Sequence, residues 1–339
     1  MRHANVAFFV PHLGCPHQCS FCDQRRISGT VLAPGPDEVK KVCEKAQQQL
    51  KGRDFPAEIA FFGGSFTAID PVLMRSLLKA AYPFVADGSF DGIRLSTRPD
   101  AVSPDVLRLL KAYGVTTVEL GAQSMDDAVL SQNGRGHTAD QTVRAAALIQ
   151  EAGLSLGLQM MVGLPGEKAD GHRRTAEKIA WLRPDCVRIY PVLVMEGTDL
   201  ARWYKEGKYI PLTVEEAVEK TAFLLRFFED REISVIRVGL HAQKTLEQSC
   251  IAGPYHPAFG ELCYSRVWLE RLLKRLEEDG IFKKALTVLV HPAFLSQAIG
   301  QKRENLRRLS QAGYQAQILS DDSMSREEPF FIKEVKDCI

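Results

Sequence analysis

"NVAFFVPHLGCPHQCSFCD", residues 5–23, passes from an apolar, aromatic and β-branched run straight into three cysteines. The first half reads as a strand stopped by Pro11, and the second half as the loop that leaves it. Cys15, Cys19 and Cys22 are spaced C-x3-C-x2-C, so three sulfurs from one loop can converge on one centre. The fold follows from asking whether this strand-to-loop unit recurs.

It does. "EIAFFGG", "DGIRLST", "TTVELGA", "SLGLQMMVG" and "DCVRIYPV" begin near residues 58, 91, 116, 155 and 185 and have the same short, nearly continuous apolar character. Between these six strands lie helical stretches such as "DPVLMRSLLKAAYPF", "SPDVLRLLKAYG" and "TADQTVRAAALIQEAG", with Ser, Thr or Asp near their starts and Gly near several of their ends. Buried strands alternating with crossover helices imply a parallel sheet covered by helices. Six units make either an open doubly wound sheet or an incomplete barrel, and periodicity alone leaves both open. In either, ligands belong at the carboxyl ends of the strands. There the unusual residues gather: the cysteines, Gly63 with Gly64, "STRPD", "GAQS", "GLPGE" and "YPVLVMEGT".

After a helical "VEEAVEKTAFLLRFFED" and a short strand "ISVIRVG", the period is lost around residues 240–262, where "AGPYHPAFGELC" is rich in turn formers. This divides a core of residues 1–240 from a small α/β appendage of residues 241–339, in which strands "ALTVLVH", "YQAQILS" and "EPFFIKEV" follow or flank two helical stretches.

The 339 residues carry 43 Lys plus Arg against 42 Asp plus Glu, so bulk charge gives no sign of attraction to nucleic acid or membrane. The N-terminal apolar run is too short for a signal peptide or a membrane span, which predicts a cytoplasmic protein with no membrane partner and no DNA partner. Eight cysteines, of which Cys43, Cys186, Cys250, Cys263 and Cys338 are scattered, do not suggest the disulfide framework of a small secreted domain.

Three thiolates suit an iron-sulfur cube, which would keep one iron without a protein ligand. Zinc, completed by His12 or His17, is a second reading, and a reactive dithiol at Cys19 and Cys22 a third. Spacing leaves all three open.

"CPHQCSFC", with Phe21 before the last cysteine, resembles the signature of the radical S-adenosylmethionine (SAM) superfamily. The resemblance implies a [4Fe-4S] cluster on Cys15, Cys19 and Cys22, with SAM chelating the open iron and reductive cleavage giving a 5′-deoxyadenosyl radical that takes hydrogen from a substrate. It also implies that the loop carrying Gly63, Gly64 and Ser65 contacts the methionyl end of SAM, with Ser65 where Glu is common. On that reading Gly64→Val blocks the cosubstrate and leaves iron content near normal.

"STRPD" (96–100), "ELGAQSMDDAVLSQNGRGHT" (119–138), "GLPG" (163–166) and "YPVLVMEGTDL" (190–200) narrow the match. Together they resemble the catalytic subunit family of the Elongator complex and its microbial relatives, over roughly residues 5–240. This implies a partial (β/α)6 TIM-like barrel of radical SAM type, followed by the small C-terminal α/β domain. Cofactor contacts then fall to Phe21, Gly63, Gly64, Ser65, Thr97, Arg98 and Gln123. Ser96 replaces a Glu of the Elongator pattern, and Gln159 stands where those relatives usually carry His. The acetyltransferase domain of that family has no counterpart expected in the 339 residues.

Candidate substrate contacts are Arg135, His137, Tyr190 and, from the appendage, His256. Ion pairing, packing or turn chemistry explains each of them singly, and the grouping of Arg98, Arg135 and His137 on the predicted rim favours a site. The expected reaction is hydrogen abstraction from a nucleobase or modified nucleoside, in or from RNA, with a flavodoxin or ferredoxin as electron donor. A radical SAM lyase or modifying enzyme acting on an unrelated small molecule is the alternative enzyme. A metal-stapled, non-catalytic binding module is the alternative of another class.

Overall fold

A computed structural model describes residues 3–10, 13–15, 18–24, 32–241 and 243–337. His12, His17 and Cys338 lie outside these residues.

Among the described residues before position 256 there are nine strands: β1 Ala4–Val10, β2 Ala57–Gly63, β3 Gly92–Thr97, β4 Val115–Gln123, β5 Ser155–Val162, β6 Cys186–Pro191, β7 Val194–Met195, β8 Ser234–Val238 and β9 Cys250–Ala252. Seven of them form one sheet in the order β1-β2-β3-β4-β5-β6-β8, every neighbour parallel. The sheet curls into a half-barrel, which resolves the choice that periodicity left open. All six strands read from the sequence are present, and "ISVIRVG" supplies a seventh to the same sheet.

The crossover helices are α1 Pro36–Gln49, α2 Pro71–Ala86, α3 Pro104–Ala112, α4 Asp127–Gln132, α5 Ala139–Glu151, α6 Gly171–Trp181, α7 Asp199–Lys205 and α8 Val214–Glu229. Their starts are fixed by side chains the sequence advertises. Asp70 accepts from the amides of Val72 and Leu73, Ser103 from Val106, and Thr138 forms a reciprocal capping box with Gln141. Each such cap contributes about 1 kcal/mol and sets where the loop before the helix must end. The sheet's packed layer includes Phe8, Phe61 and Phe66, whose rings stack at centroid distances of 5.6 and 4.7 Å.

By internal contacts the chain forms two compact units, Met1–Val214 with Phe228–Tyr255, and Glu215–Phe227 with His256–Ile339. After residue 240 the chain first returns to the first unit, through α9 Lys244–Ser249 and β9, which pairs antiparallel with β7. The second unit holds α10 Phe259–Glu278, α11 Leu295–Ile299, α12 Glu304–Gln311 and a sheet of β10 Lys284–Val290 between β11 Gln315–Ser320 and β12 Phe331–Asp337. β10 runs parallel to β11 and antiparallel to β12. Its core joins Trp268, Leu272 and Leu276 to Leu286, Val288, Val290 and Leu309. Among the described residues no helix is long and apolar enough to cross a membrane.

Candidate functional site

The cysteine loop is fastened from two sides. From β2, the amide of Gly64 donates to Val10 O at 2.7 Å and that of Ser65 to Leu13 O at 3.0 Å. A Cβ on Gly64 would stand 2.2 Å from Leu13 O and 2.5 Å from Val10 O, and one on Gly14 would stand 2.2 Å from Ser65 O. The glycine pair therefore serves first to let the two loops interlock backbone to backbone. This corrects the expected outcome for Gly64→Val: its methyl groups would strike the cysteine loop itself, so metal content and cosubstrate binding fall together.

From the opposite side, the amide of Ser20 donates to Asn133 O at 3.1 Å, and its hydroxyl to Asn133 Oδ1 at 2.8 Å. The fully buried Asn133 amide also donates to Val129 O and Pro165 O, at 2.8 and 2.9 Å. The motif loops "NGRGHT" and "GLPG" thus grip the loop between two of its cysteines. Asn133 was not singled out from the sequence, because a buried Asn that satisfies three backbone groups looks like any polar loop residue until the loops are folded together.

Beyond this loop lies a cavity of about 720 Å³ at the carboxyl ends of the sheet strands, within the first unit. That is the size range of small-molecule and cofactor sites. Of the proposed metal and cofactor residues, Cys15, Cys22, Phe21, Gly63, Gly64, Thr97, Arg98 and Gln123 line it. Ser65 does not. Its hydroxyl is 1 % exposed, contacts Thr97 Oγ1 at 2.9 Å and accepts from the Arg98 amide at 3.1 Å, so it braces the wall from behind. The short side chain that replaces a family Glu has been absorbed into the scaffold.

Cys19 is buried, and Arg135 Nη1 donates to its sulfur at 3.0 Å while Nη2 donates to Gly121 O at 2.6 Å. Burial and the Cys19 charge push the thiols of Cys15 and Cys22 up, and Arg98 and Arg135 pull the Cys15 thiol back down. The three sulfurs therefore feel each other and two guanidiniums. Among the described residues no three His, Cys, Asp or Glu side chains are grouped tightly enough for a single metal ion. A four-iron cube spreads its thiolates more widely than one ion does.

Two polar atoms on this wall are buried without a hydrogen-bond partner, Gln123 Oε1 and Arg135 Nε. Gln123 also has a φ of +64°, in the left-handed region that a non-glycine residue adopts at a cost of order 1 kcal/mol. Gln123 lines the cavity with Cys15 and Cys22, and its strained backbone and unpaired, buried amide oxygen leave an acceptor for a polar ligand to complete. The residues present fit a cluster with a polar cosubstrate.

Arg98 is held by Asp100 through two hydrogen bonds of 2.9 Å, which leaves it a positioned charge on the wall. Tyr190 lines the cavity, and burial pushes its hydroxyl pKa up against the pull of Arg188. His137 borders a separate depression with Gln18 and Asp127. It is buried with neither ring nitrogen in a well-formed hydrogen bond. Burial, then the charges of Arg135 and Arg98, lower its pKa to about 4, against weaker pulls from Asp100 and the Ala122 backbone. The structure thus places His137 outside the lining of the main cavity, as a neutral, buried imidazole. His256 belongs to the second unit, where Nδ1 accepts from the Ala258 amide at 3.1 Å, a turn role.

Beneath the cavity runs a charge network that sequence reading missed. Glu119 of β4, 0 % exposed, accepts from Arg94 of β3 at 2.9 Å and from Arg188 of β6 at 2.5 and 2.8 Å. Arg94 also donates to Glu58 of β2 at 2.7 Å. Gln159 of β5 donates to Glu119 at 3.0 Å and to Ser96 at 3.3 Å. Ser96 and Gln159, where the resemblance implied Glu and His, thus touch each other through one neutral contact. The signal in the sequence was one charged residue inside each of four apolar strands.

Residues 9–179 match the family described as the Radical SAM superfamily, and residues 184–268 match the Radical_SAM C-terminal domain. A protein named tRNA uridine(34) acetyltransferase from Dehalococcoides mccartyi is 29% identical over 239 residues, covering 61% of this chain and 52% of that protein. Elongator complex protein 3 of Homo sapiens is 34% identical over 138 residues, 40% of this chain and 25% of that one. The chain thus spans about half the length of the bacterial relative. Among solved structures, an archaeal Elp3 from Methanocaldococcus infernus aligns with a TM-score of 0.59 at 22% identity, over 82% of this chain and 63% of the other, which shows the shared fold.

Proposed function

We propose, from the premise that this chain belongs to the radical SAM superfamily, that its half-barrel cavity is a radical chamber for a nucleobase or modified nucleoside, in or from RNA. Membership makes it an enzyme and implies a [4Fe-4S] cluster and SAM. When bound and reduced, these supply an electron that splits the sulfonium and a carbon-centred radical that takes a hydrogen atom.

The chain's own residues do the rest. Cys15, Cys19 and Cys22 hold the metal, and Arg135 fixes the Cys19 sulfur by a charge-assisted hydrogen bond. Gln123 Oε1 and Arg135 Nε offer an acceptor and a donor to a polar cosubstrate. Arg98, locked by Asp100, presents positive charge to a carboxylate without having to be ordered on binding. Phe21, Met161, Leu193 and Met195 line the same space and keep water from it.

The observation that carries this reading is that Cys15 and Cys22 line one cavity wall with Gln123 and Arg135, each of which keeps a buried polar atom unpaired, while Arg135 also holds the buried Cys19 sulfur. The substrate class is supported by the relatives' names, tRNA uridine(34) acetyltransferase and Elongator complex protein 3. The proposal covers the radical chemistry alone, because the matched residues are about half of the bacterial relative. A flavodoxin or ferredoxin supplies the electron.

The test is anaerobic reconstitution with iron and sulfide, reduction with dithionite in the presence of SAM, and chromatography for 5′-deoxyadenosine. The wild type releases it, Cys19→Ala does not, and added bulk tRNA or nucleosides speed the release. Release that neither tRNA nor nucleosides accelerate points to the small-molecule reading, and a zinc-filled protein that leaves SAM intact overturns the radical reading.

A further inference from the structure

Three arginines line the cavity, Arg98, Arg135 and Arg188. Asp100 answers the first and Glu119 the last. Arg135, 7 % exposed, has no carboxylate partner among the described residues. Its Nη1 donates to the Cys19 sulfur at 3.0 Å, its Nη2 donates to Gly121 O at 2.6 Å, and its Nε is buried without a partner. A buried charge is costly unless an opposite charge meets it. Of the two groups that Arg135 holds, only the Cys19 sulfur can carry a negative charge.

The charge reaches past the sulfur it touches. Burial and the Cys19 charge push the thiols of Cys15 and Cys22 up, and Arg135 pulls both down. Arg98 also acts on Cys15, but the Asp100 carboxylate tied to it offsets that pull. Around the sulfurs the packing is apolar: Cys19 sits in a buried cluster with Phe21, Val129, Leu164, Val192 and Leu200, and Cys22 packs against it. An apolar shell disfavours added charge and lowers the potential at which a bound cluster accepts an electron. A hydrogen bond to a ligand sulfur, and a fixed positive charge beside it, raise that potential. Arg135 supplies both effects from one side chain.

We propose that Arg135 sets the reduction potential of the metal centre held by Cys15, Cys19 and Cys22, raising it against the apolar shell so that a reduced carrier protein can load it. This rests on the iron-sulfur reading given above. One electron passes from the carrier, which is oxidised, to the centre, which is reduced, and Arg135 neither makes nor breaks a covalent bond and keeps its protons. It acts through the Cys19 sulfur, as a positioning residue, which adds electron entry to the substrate contact expected of Arg135 from the sequence.

The test is an anaerobic, dye-mediated redox titration of the reconstituted full chain without SAM, read by the absorbance and paramagnetic signal of the cluster rather than by turnover. Arg135→Gln keeps a neutral donor and removes the charge. Its midpoint falls below that of the wild type by at least about 59 mV, a tenfold change in a one-electron equilibrium. Arg135→Lys keeps the charge but not the two-pronged hold on Cys19 and Gly121, and its midpoint lies between the other two. Ser20→Ala is the control for a loosened loop, because it removes the hydroxyl bond to Asn133 without changing charge, and its midpoint stays at the wild-type value. Should Arg135→Gln take up no iron, Arg135→Lys decides, and a Lys variant with the wild-type midpoint overturns the proposal. So does an Arg135→Gln midpoint that is unchanged or raised, or a fall in Ser20→Ala as large as in Arg135→Gln. In those cases the wild-type cluster still forms and the radical reading stands, whereas a wild type that assembles no cluster overturns both.

Discussion

The floor and the rim of this half-barrel treat polar groups in opposite ways. On the floor, Glu58, Arg94, Glu119 and Arg188 are joined by short ion pairs, and Glu119 accepts from two arginines and Gln159. On the rim, Gln123 and Arg135 keep buried polar atoms without partners. β4 supplies one of each, Glu119 to the floor and Gln123 to the rim, and Arg135 comes from the loop between α4 and α5. Scaffold charges must be satisfied within the chain for the barrel to close, whereas groups at the strand ends are satisfied by whatever enters the cavity. The contrast applies to the residues that line the cavity, Gln123 and Arg135; His137, also unpaired, borders a separate depression.

The sharpest way to break the contrast is to remove a floor charge. Burial works against ionised Glu119, yet Arg188 and Arg94 hold its carboxyl below the usual range. Glu119→Gln leaves both guanidiniums buried with less counter-charge and should cost about 3–5 kcal/mol, read by denaturant unfolding. A loss under about 1 kcal/mol would mean the floor tolerates bare charge and the distinction from the rim is false.

Next in size is Gly64→Val at the joint between rim and cysteine loop. Its side chain meets the carbonyls of Leu13 and Val10, so roughly 3 kcal/mol of strain is expected. Bound iron after reconstitution should drop with stability. Normal iron with weakened SAM binding would restore a purely ligand-facing role for the glycine.

Acid sharpens the comparison by a smaller amount. His137 has a folded pKa of about 4 against an ordinary 6.5, so between those values the unfolded chain binds a proton that the folded one refuses. Stability is complete above about pH 6.5 and declines as pH falls toward 4, by up to about 3 kcal/mol. Arg98 and Arg188 hold Asp100 and Glu119 low against the opposing effect of burial, so their contribution is lost in the same direction at lower pH. His137→Asn should flatten the first part of this decline. An unchanged slope would show that His137 titrates normally.

Much of this was legible in the sequence, and for definite reasons. The strands of the half-barrel announced themselves because parallel strands buried on both faces are continuous apolar runs, and the three cysteines because ligand spacing in one loop is local. The curl of the sheet was not legible from periodicity, since an open sheet repeats the same unit. It rested on resemblance until the register was seen. Ser65 and Asn133 went unread because their meaning depends on which distant loop or strand lies opposite: Thr97 for the first, Ser20 and Pro165 for the second. The placement of His137 was unreadable for the same reason: its side chain borders a depression separate from the main cavity.

The central claim is that Cys15, Cys19 and Cys22 hold a four-iron cluster with one iron free to take SAM. Electron paramagnetic resonance of the reconstituted, dithionite-reduced protein tests it most directly, with and without SAM. The account predicts a reduced [4Fe-4S] signal that SAM shifts and that Cys19→Ala abolishes. A signal indifferent to SAM, or a protein that takes up zinc and gives no cluster signal, would contradict it.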